Sequence, residues 1–118
     1  MPKRHSFWTS LKNALHGLLY SCKTQRHVQF HLFAAAFVIT CAWWLGFNRW
    51  EWIVLILTIS SVITAEVINT AVETVVDMAQ PNFHPLAGLA KDIAAGAVLV
   101  TAIQAAAIGV ILFGPRVF

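Results

Sequence analysis

Charge is scarce in this chain. Of its 118 residues only 11% are Asp, Glu, Lys or Arg, 58% are hydrophobic, and the mean hydropathy is +0.71. A soluble domain carries roughly a quarter charged residues, so the deficit excludes an ordinary water-soluble globule and fits one small, all-α integral membrane domain covering residues 1–118. Cysteine is almost missing as well. Cys22 and Cys41 are the only two, expected at the inner interface and toward the outer half of a span, which rules out a bridge between them and leaves two packing residues. His27 and His31 have the i, i+4 spacing of a zinc pair, but no third soft ligand or HExxH string accompanies them. An interface-facing role fits both better.

The few charges are unevenly placed. Lys3, Arg4, Lys12, Lys23 and Arg26 precede the first long apolar run, so the positive-inside rule keeps the N-terminus cytoplasmic. A membrane surface, not nucleic acid, is the partner this charge suggests. The first 23 residues are no secretory signal, because polar residues interrupt the apolar ones and no small-residue cleavage pattern follows. Within residues 6–23, Phe7, Trp8, Leu11, Leu15, Leu18 and Cys22 recur at helical spacing, as in an interfacial amphipathic helix on the cytoplasmic leaflet. Such a helix either roofs a site at the membrane surface or simply anchors the chain.

Three segments then have the length and apolarity to cross ~30 Å of hydrocarbon: residues 28–47, 52–77 and 93–113. This order puts the turn 48–51 outside, the loop 78–92 in the cytoplasm and Arg116 outside. Trp43, Trp44, Phe47, Trp50 and Trp52 bracket the outer turn as an aromatic anchor belt.

Against this apolar background four polar residues close the second span. Glu66, Asn69, Glu73 and Asp77 fall at offsets 0, 3, 7 and 11, within roughly 80° of one another on a helix turning ~100° per residue. An Asp at mid-helix costs about 2.5–3.5 kcal/mol even on lenient insertion scales, so the stripe must face protein, water, a metal or a substrate. If Asp77 marks the inner headgroup level, Glu73 lies ~6 Å and Glu66 ~16 Å below it. That depth suits a lipid hydroxyl at Glu66 and a water-soluble cosubstrate at Glu73 and Asp77. In the following loop, QPNFHPLAGLAKD, two prolines and a glycine enforce turns and Lys91-Asp92 opens the third span. A lysine at that height suits a phosphate; taken alone, the pair reads more readily as a helix cap.

The string ExxNxxxExxxD from Glu66 to Asp77, the His84-Pro85 loop and Lys91-Asp92 before an Ala- and Gly-rich span resemble the bacterial diacylglycerol kinase and undecaprenol kinase family. The resemblance covers nearly the whole chain, from the surface helix containing Gly17 through all three spans. It implies a helical-bundle homotrimer in the bacterial cytoplasmic membrane, with active sites between subunits, transferring phosphoryl from MgATP to a lipid hydroxyl. The residue matching Glu66 is then the catalytic base and that matching Glu73 a magnesium ligand, with Asn69 organising the carboxylates. Asn82, Phe83, His84, Lys91 and Asp92 match the nucleotide site. No GxxxxGK[ST] is present, so the phosphates are not held by a P-loop. Where the family has a second metal-binding Glu, this chain has Gln25, a neutral and weaker oxygen donor. Asn13 takes the position of an aromatic that contacts nucleotide in some members. The two-proline loop resembles the undecaprenol kinase branch more than the diacylglycerol kinase branch, which makes undecaprenol the expected lipid and diacylglycerol the alternative. A small proton-coupled multidrug transporter also uses an intramembrane Glu, but needs four spans with the Glu in the first.

Overall fold

The computed structural model describes residues 6–118, so Lys3 and Arg4 of the basic N-terminal group lie outside the described residues. Its described residues form four helices joined by short turns: α1 (Phe7–Thr24), α2 (Arg26–Trp44), α3 (Arg49–Ala79) and α4 (Pro85–Val117). Three of these, α2, α3 and α4, are long and apolar enough to cross a membrane.

Each boundary has a local cause. Helix α1 starts because the Ser6 hydroxyl accepts from Thr9 N at 3.2 Å, satisfying one of the orphan donors of the first turn. It ends with Lys23 in the last turn, where a cation suits the negative pole of the helix. Gln25 is a single extended residue that closes α1 and opens α2.

Helix α2 stops at Trp44, three residues before the expected end at Phe47. Gly46 adopts φ +72°, the left-handed geometry that glycine reaches without penalty. Gly46 N donates to Trp43 O at 3.3 Å and Phe47 N to Ala42 O at 3.1 Å, the paired bonds of a Schellman terminus. Phe47 thereby folds back into a buried cluster with Ala42 and Leu55, against which Trp52 and Phe113 pack. This corrects the aromatic belt: Trp43, Trp44 and Trp50 are exposed, whereas Phe47 is buried and Trp52 turns inward.

Helix α3 begins earlier than residue 52. The Asn48 side chain accepts from Glu51 N, and the Glu51 carboxylate accepts from Asn48 N, each at 3.0 Å, a complete capping box. Helix α4 also begins earlier, at Pro85 instead of residue 93. His84 Nδ1 accepts from Leu86 N at 3.1 Å, and Pro85 lends a preset φ to the first turn. The expected loop 78–92 thus shrinks to residues 80–84. At ~46 Å and ~50 Å, α3 and α4 are longer than the hydrocarbon core is thick.

Helices α3 and α4 run antiparallel and are fastened by polar contacts. Ser61 Oγ donates to Gln104 Oε1 at 3.1 Å. At the far end Arg116 grips the Glu51 carboxylate with two nitrogens, one at 2.8 Å from Oε1, while its guanidinium lies 4.7 Å over the Phe47 ring. Helix α4 has no fully buried residue, and large apolar side chains such as Phe33, Leu99 and Ile103 are exposed along the spans. Only lipid or other protein surfaces suit so much exposed apolar area.

Candidate functional site

The acidic stripe is real, and the structure grades it by depth. Glu66 is 5% exposed, Asn69 and Glu73 are half-buried and Asp77 is exposed. One helix delivers all four because α3 is uninterrupted from Arg49 to Ala79. Its interior threonines bond backward, Thr70 Oγ1 to Glu66 O at 3.0 Å and Thr74 Oγ1 to Thr70 O at 2.8 Å, so their hydroxyls make no demand on the site.

At the deep end His31 reaches across from α2, its Nε2 3.2 Å from Glu66 Oε1. This corrects the interface-facing role expected of His31. Its neighbour His27, by contrast, is exposed. Among the described residues no group of three His, Cys, Asp or Glu is clustered tightly enough to hold a metal.

One turn further on, Asn69 Nδ2 donates to Glu73 Oε1 at 3.1 Å. Asn69 Oδ1 is buried without a hydrogen-bond partner. A buried carbonyl oxygen in that state is costly unless a donor or cation completes it. With the Glu73 carboxylate it makes two hard oxygen donors on one face of α3, a set that fits Mg²⁺, which binds through one or two carboxylates and keeps several waters.

At the outermost end of the stripe Lys91 of α4 pairs with Asp77 of α3. Lys91 lies two turns past Pro85 and Asp92 follows it, so neither opens or caps the helix; His84 does. Asp92 therefore lies beyond the first turn, where the dipole argument made for it loses force. Around the Asp77–Lys91 pair a shallow hollow of about 190 Å³ gathers Asn82, Phe83 and His84, joining residues scattered over fifteen positions of sequence. Phe83 is 92% exposed and presents an open aromatic face. Asp92 and Asn13 are exposed outside this hollow, and Gln25 Nε2 donates to Thr24 Oγ1 at 3.3 Å.

His31 is the participant that sequence reasoning missed. Its contact with Glu66 spans 35 positions and two helices, and the only local signal was a polar ring between Phe30 and Leu32.

A carboxylate buried among membrane-length helices, continued by further acids to a lysine and an open hollow, defines a multi-helix membrane enzyme with an intramembrane polar site. A profile of the prokaryotic diacylglycerol kinase family matches residues 12–113. The chain belongs to that family, and it is a lipid kinase. It is similar to the undecaprenol kinase of Bacillus subtilis, 38% identical over 93% of this chain and 89% of that protein. It is also similar to the diacylglycerol kinase of Synechocystis, 39% identical over 97% of this chain and 70% of that protein. The diacylglycerol kinase of Escherichia coli is 39% identical over 59% of this chain and 56% of its own length. Family membership and three membrane-length helices leave the four-span transporter alternative without support.

Proposed function

We propose that this lipid kinase phosphorylates undecaprenol, using MgATP, in the bacterial cytoplasmic membrane. The observation that carries the choice of lipid is the likeness to an undecaprenol kinase along nearly the full length of both chains. Diacylglycerol is the alternative acceptor, favoured by the similarly identical diacylglycerol kinases.

The chemistry follows the depth of the stripe. The lipid hydroxyl lies at Glu66, the buried end. Its oxygen forms a bond to the γ-phosphorus, the bond from that phosphorus to the ADP oxygen breaks, and the hydroxyl proton passes to the Glu66 carboxylate. Glu73 and Asn69 Oδ1 would hold Mg²⁺, with Gln25 as a further neutral donor. The ion supplies neutralisation of phosphate charge. Asp77, Asn82, Phe83, His84, Lys91, Asp92 and Asn13 form the nucleotide side, Lys91 exchanging Asp77 for a phosphate when ATP binds.

The active form is a homotrimer with sites between subunits. The lack of a clustered metal-ligating group among the described residues of one chain and the exposed apolar faces of α4 support it. The N-terminus and α1 lie on the cytoplasmic side, α1 as an interfacial helix, and the C-terminus lies outside.

The test is phosphoryl transfer by purified protein in mixed micelles, comparing undecaprenol with diacylglycerol at equal mole fraction. Higher kcat/KM on undecaprenol is expected; a preference for diacylglycerol overturns the lipid assignment. In the same assay Glu66→Gln should abolish transfer while retaining ATP binding, because an amide cannot take the hydroxyl proton. Activity within tenfold of the parent, ~1.4 kcal/mol of barrier, removes Glu66 from the role of base.

A further inference from the structure

We propose that His31 is a positioning residue whose Nε2–H holds the Glu66 carboxylate in the orientation that accepts the lipid hydroxyl proton. The inference rests on the reading of Glu66 as the base. Glu66 is 5% exposed on the most buried face of α3, between Val62 and Thr70. A polar group so placed is costly without a hydrogen-bond partner. Its neighbour Thr70 does not serve, because that hydroxyl is spent on the Glu66 backbone carbonyl. His31 Nε2, 3.2 Å from Oε1, is the side-chain partner the described residues provide, and Oε2 has none among them.

The direction of this hydrogen bond follows from chemistry. An ionised carboxylate only accepts, so Nε2 carries the proton in either the neutral Nε2–H tautomer or the imidazolium. One oxygen is tethered and the other is left for the substrate.

The surroundings make the tether matter. His31 lies at one end of an apolar hollow of about 330 Å³ that runs between α2, α3 and α4 past Ala35 and Val62 toward Phe113. In such surroundings a free carboxylate has few polar alternatives, and losing its donor leaves it to rotate away from the substrate. That rotation slows proton abstraction without touching the nucleotide hollow, which lies at the other end of the stripe.

Two substitutions separate this role from packing. His31→Gln places an amide Nε2 donor at similar reach, and His31→Leu keeps bulk without a donor. With saturating MgATP and undecaprenol in mixed micelles, His31→Leu should lower kcat by roughly tenfold to a hundredfold with KM for ATP within about twofold, and His31→Gln should recover at least about a third of the parent kcat. Thermal melting and ATP binding of each variant report folding, with His31→Met as a second apolar replacement. The proposal is overturned if His31→Leu and His31→Met keep the parent kcat, if Gln and Leu lose kcat equally, or if the loss lies wholly in KM. Glu66→Gln, run in parallel, tells the two failures apart. An active Glu66→Gln removes the base assignment itself, whereas an inactive Glu66→Gln beside a fully active His31→Leu removes only the tether.

Discussion

Lys91 joins α4 to the acidic stripe of α3 through Asp77, and that pairing sets what its removal should do. Both groups are accessible at the hollow that holds Asn82, Phe83 and His84, so a phosphate can displace the carboxylate from the ammonium. Lys91→Met should weaken ATP binding or turnover by roughly tenfold or more, as expected for loss of a charge-assisted phosphate contact. Isothermal titration and steady-state kinetics measure it; a lower melting temperature with unchanged kinetics would reduce Lys91 to a strut between helices. Magnesium demand is a second residue-scale observable. Gln25→Glu should lower the Mg²⁺ concentration giving half-maximal activity at saturating ATP, since a hard cation gains a charged ligand, while Glu73→Gln should raise it more severely. An unchanged Mg²⁺ titration for Gln25→Glu would leave the ion to Glu73, Asn69, phosphate and water. The stripe itself was legible because four polar residues at helical offsets in an apolar run have few structural explanations. The His31 contact was not legible. Nothing in a linear string says which turn of α2 faces which turn of α3; in the fold the two helices meet through buried Ala42 and Leu55, which share one cluster with Phe47.

At the scale of elements, helix ends decide which side chains reach the site. Three membrane-length helices could be read from hydropathy, but their limits could not. The capping box at Asn48, the His84-Pro85 start and the Schellman turn at Gly46 moved three expected boundaries by three to eight residues. The signals were short: an Asn three positions before a Glu, a Pro after a capping His, and a Gly after two tryptophans. The eight-residue shift at α4 matters most, because it converts Lys91 from the start of a span into an interior position facing Asp77. Gly46 offers a direct test. A Cβ there would meet open space within 4 Å, so Gly46→Ala isolates the backbone penalty of a left-handed residue. It should cost about 1–2 kcal/mol, read as a lower melting temperature in detergent, with ATP binding preserved. Unchanged stability would mean that the α2–α3 turn tolerates a different conformation. The Arg116–Glu51 grip was equally invisible in sequence, joining residues 65 positions apart at the opposite end of the α3–α4 pair from Lys91–Asp77.

The whole molecule leaves α4 without a buried residue and much of α2 bare. Lipid or other protein surfaces must supply the missing contacts, and the proposed trimer would shield the polar stripe of α3 from acyl chains. The purified protein in detergent should scatter light as three copies of the 13.0 kDa chain after correction for bound detergent. A monomer of full activity would refute sites shared between subunits. The deep placement of Glu66 has one more effect, on the fate of the product. Thirteen residues separate Glu66 from Ala79 at the end of α3, ~20 Å along the axis. The alcohol arrives uncharged and can rest at that level with little penalty. Once esterified it carries an anionic headgroup that the apolar surroundings of Glu66 and His31 disfavour and that water at the end of the helix welcomes. The reaction thus converts a molecule that prefers the bottom of the stripe into one that prefers its top. With Glu66 as the proposed base, polarity alone would drive the phosphorylated lipid outward, clearing that carboxylate for the next acceptor without a moving part.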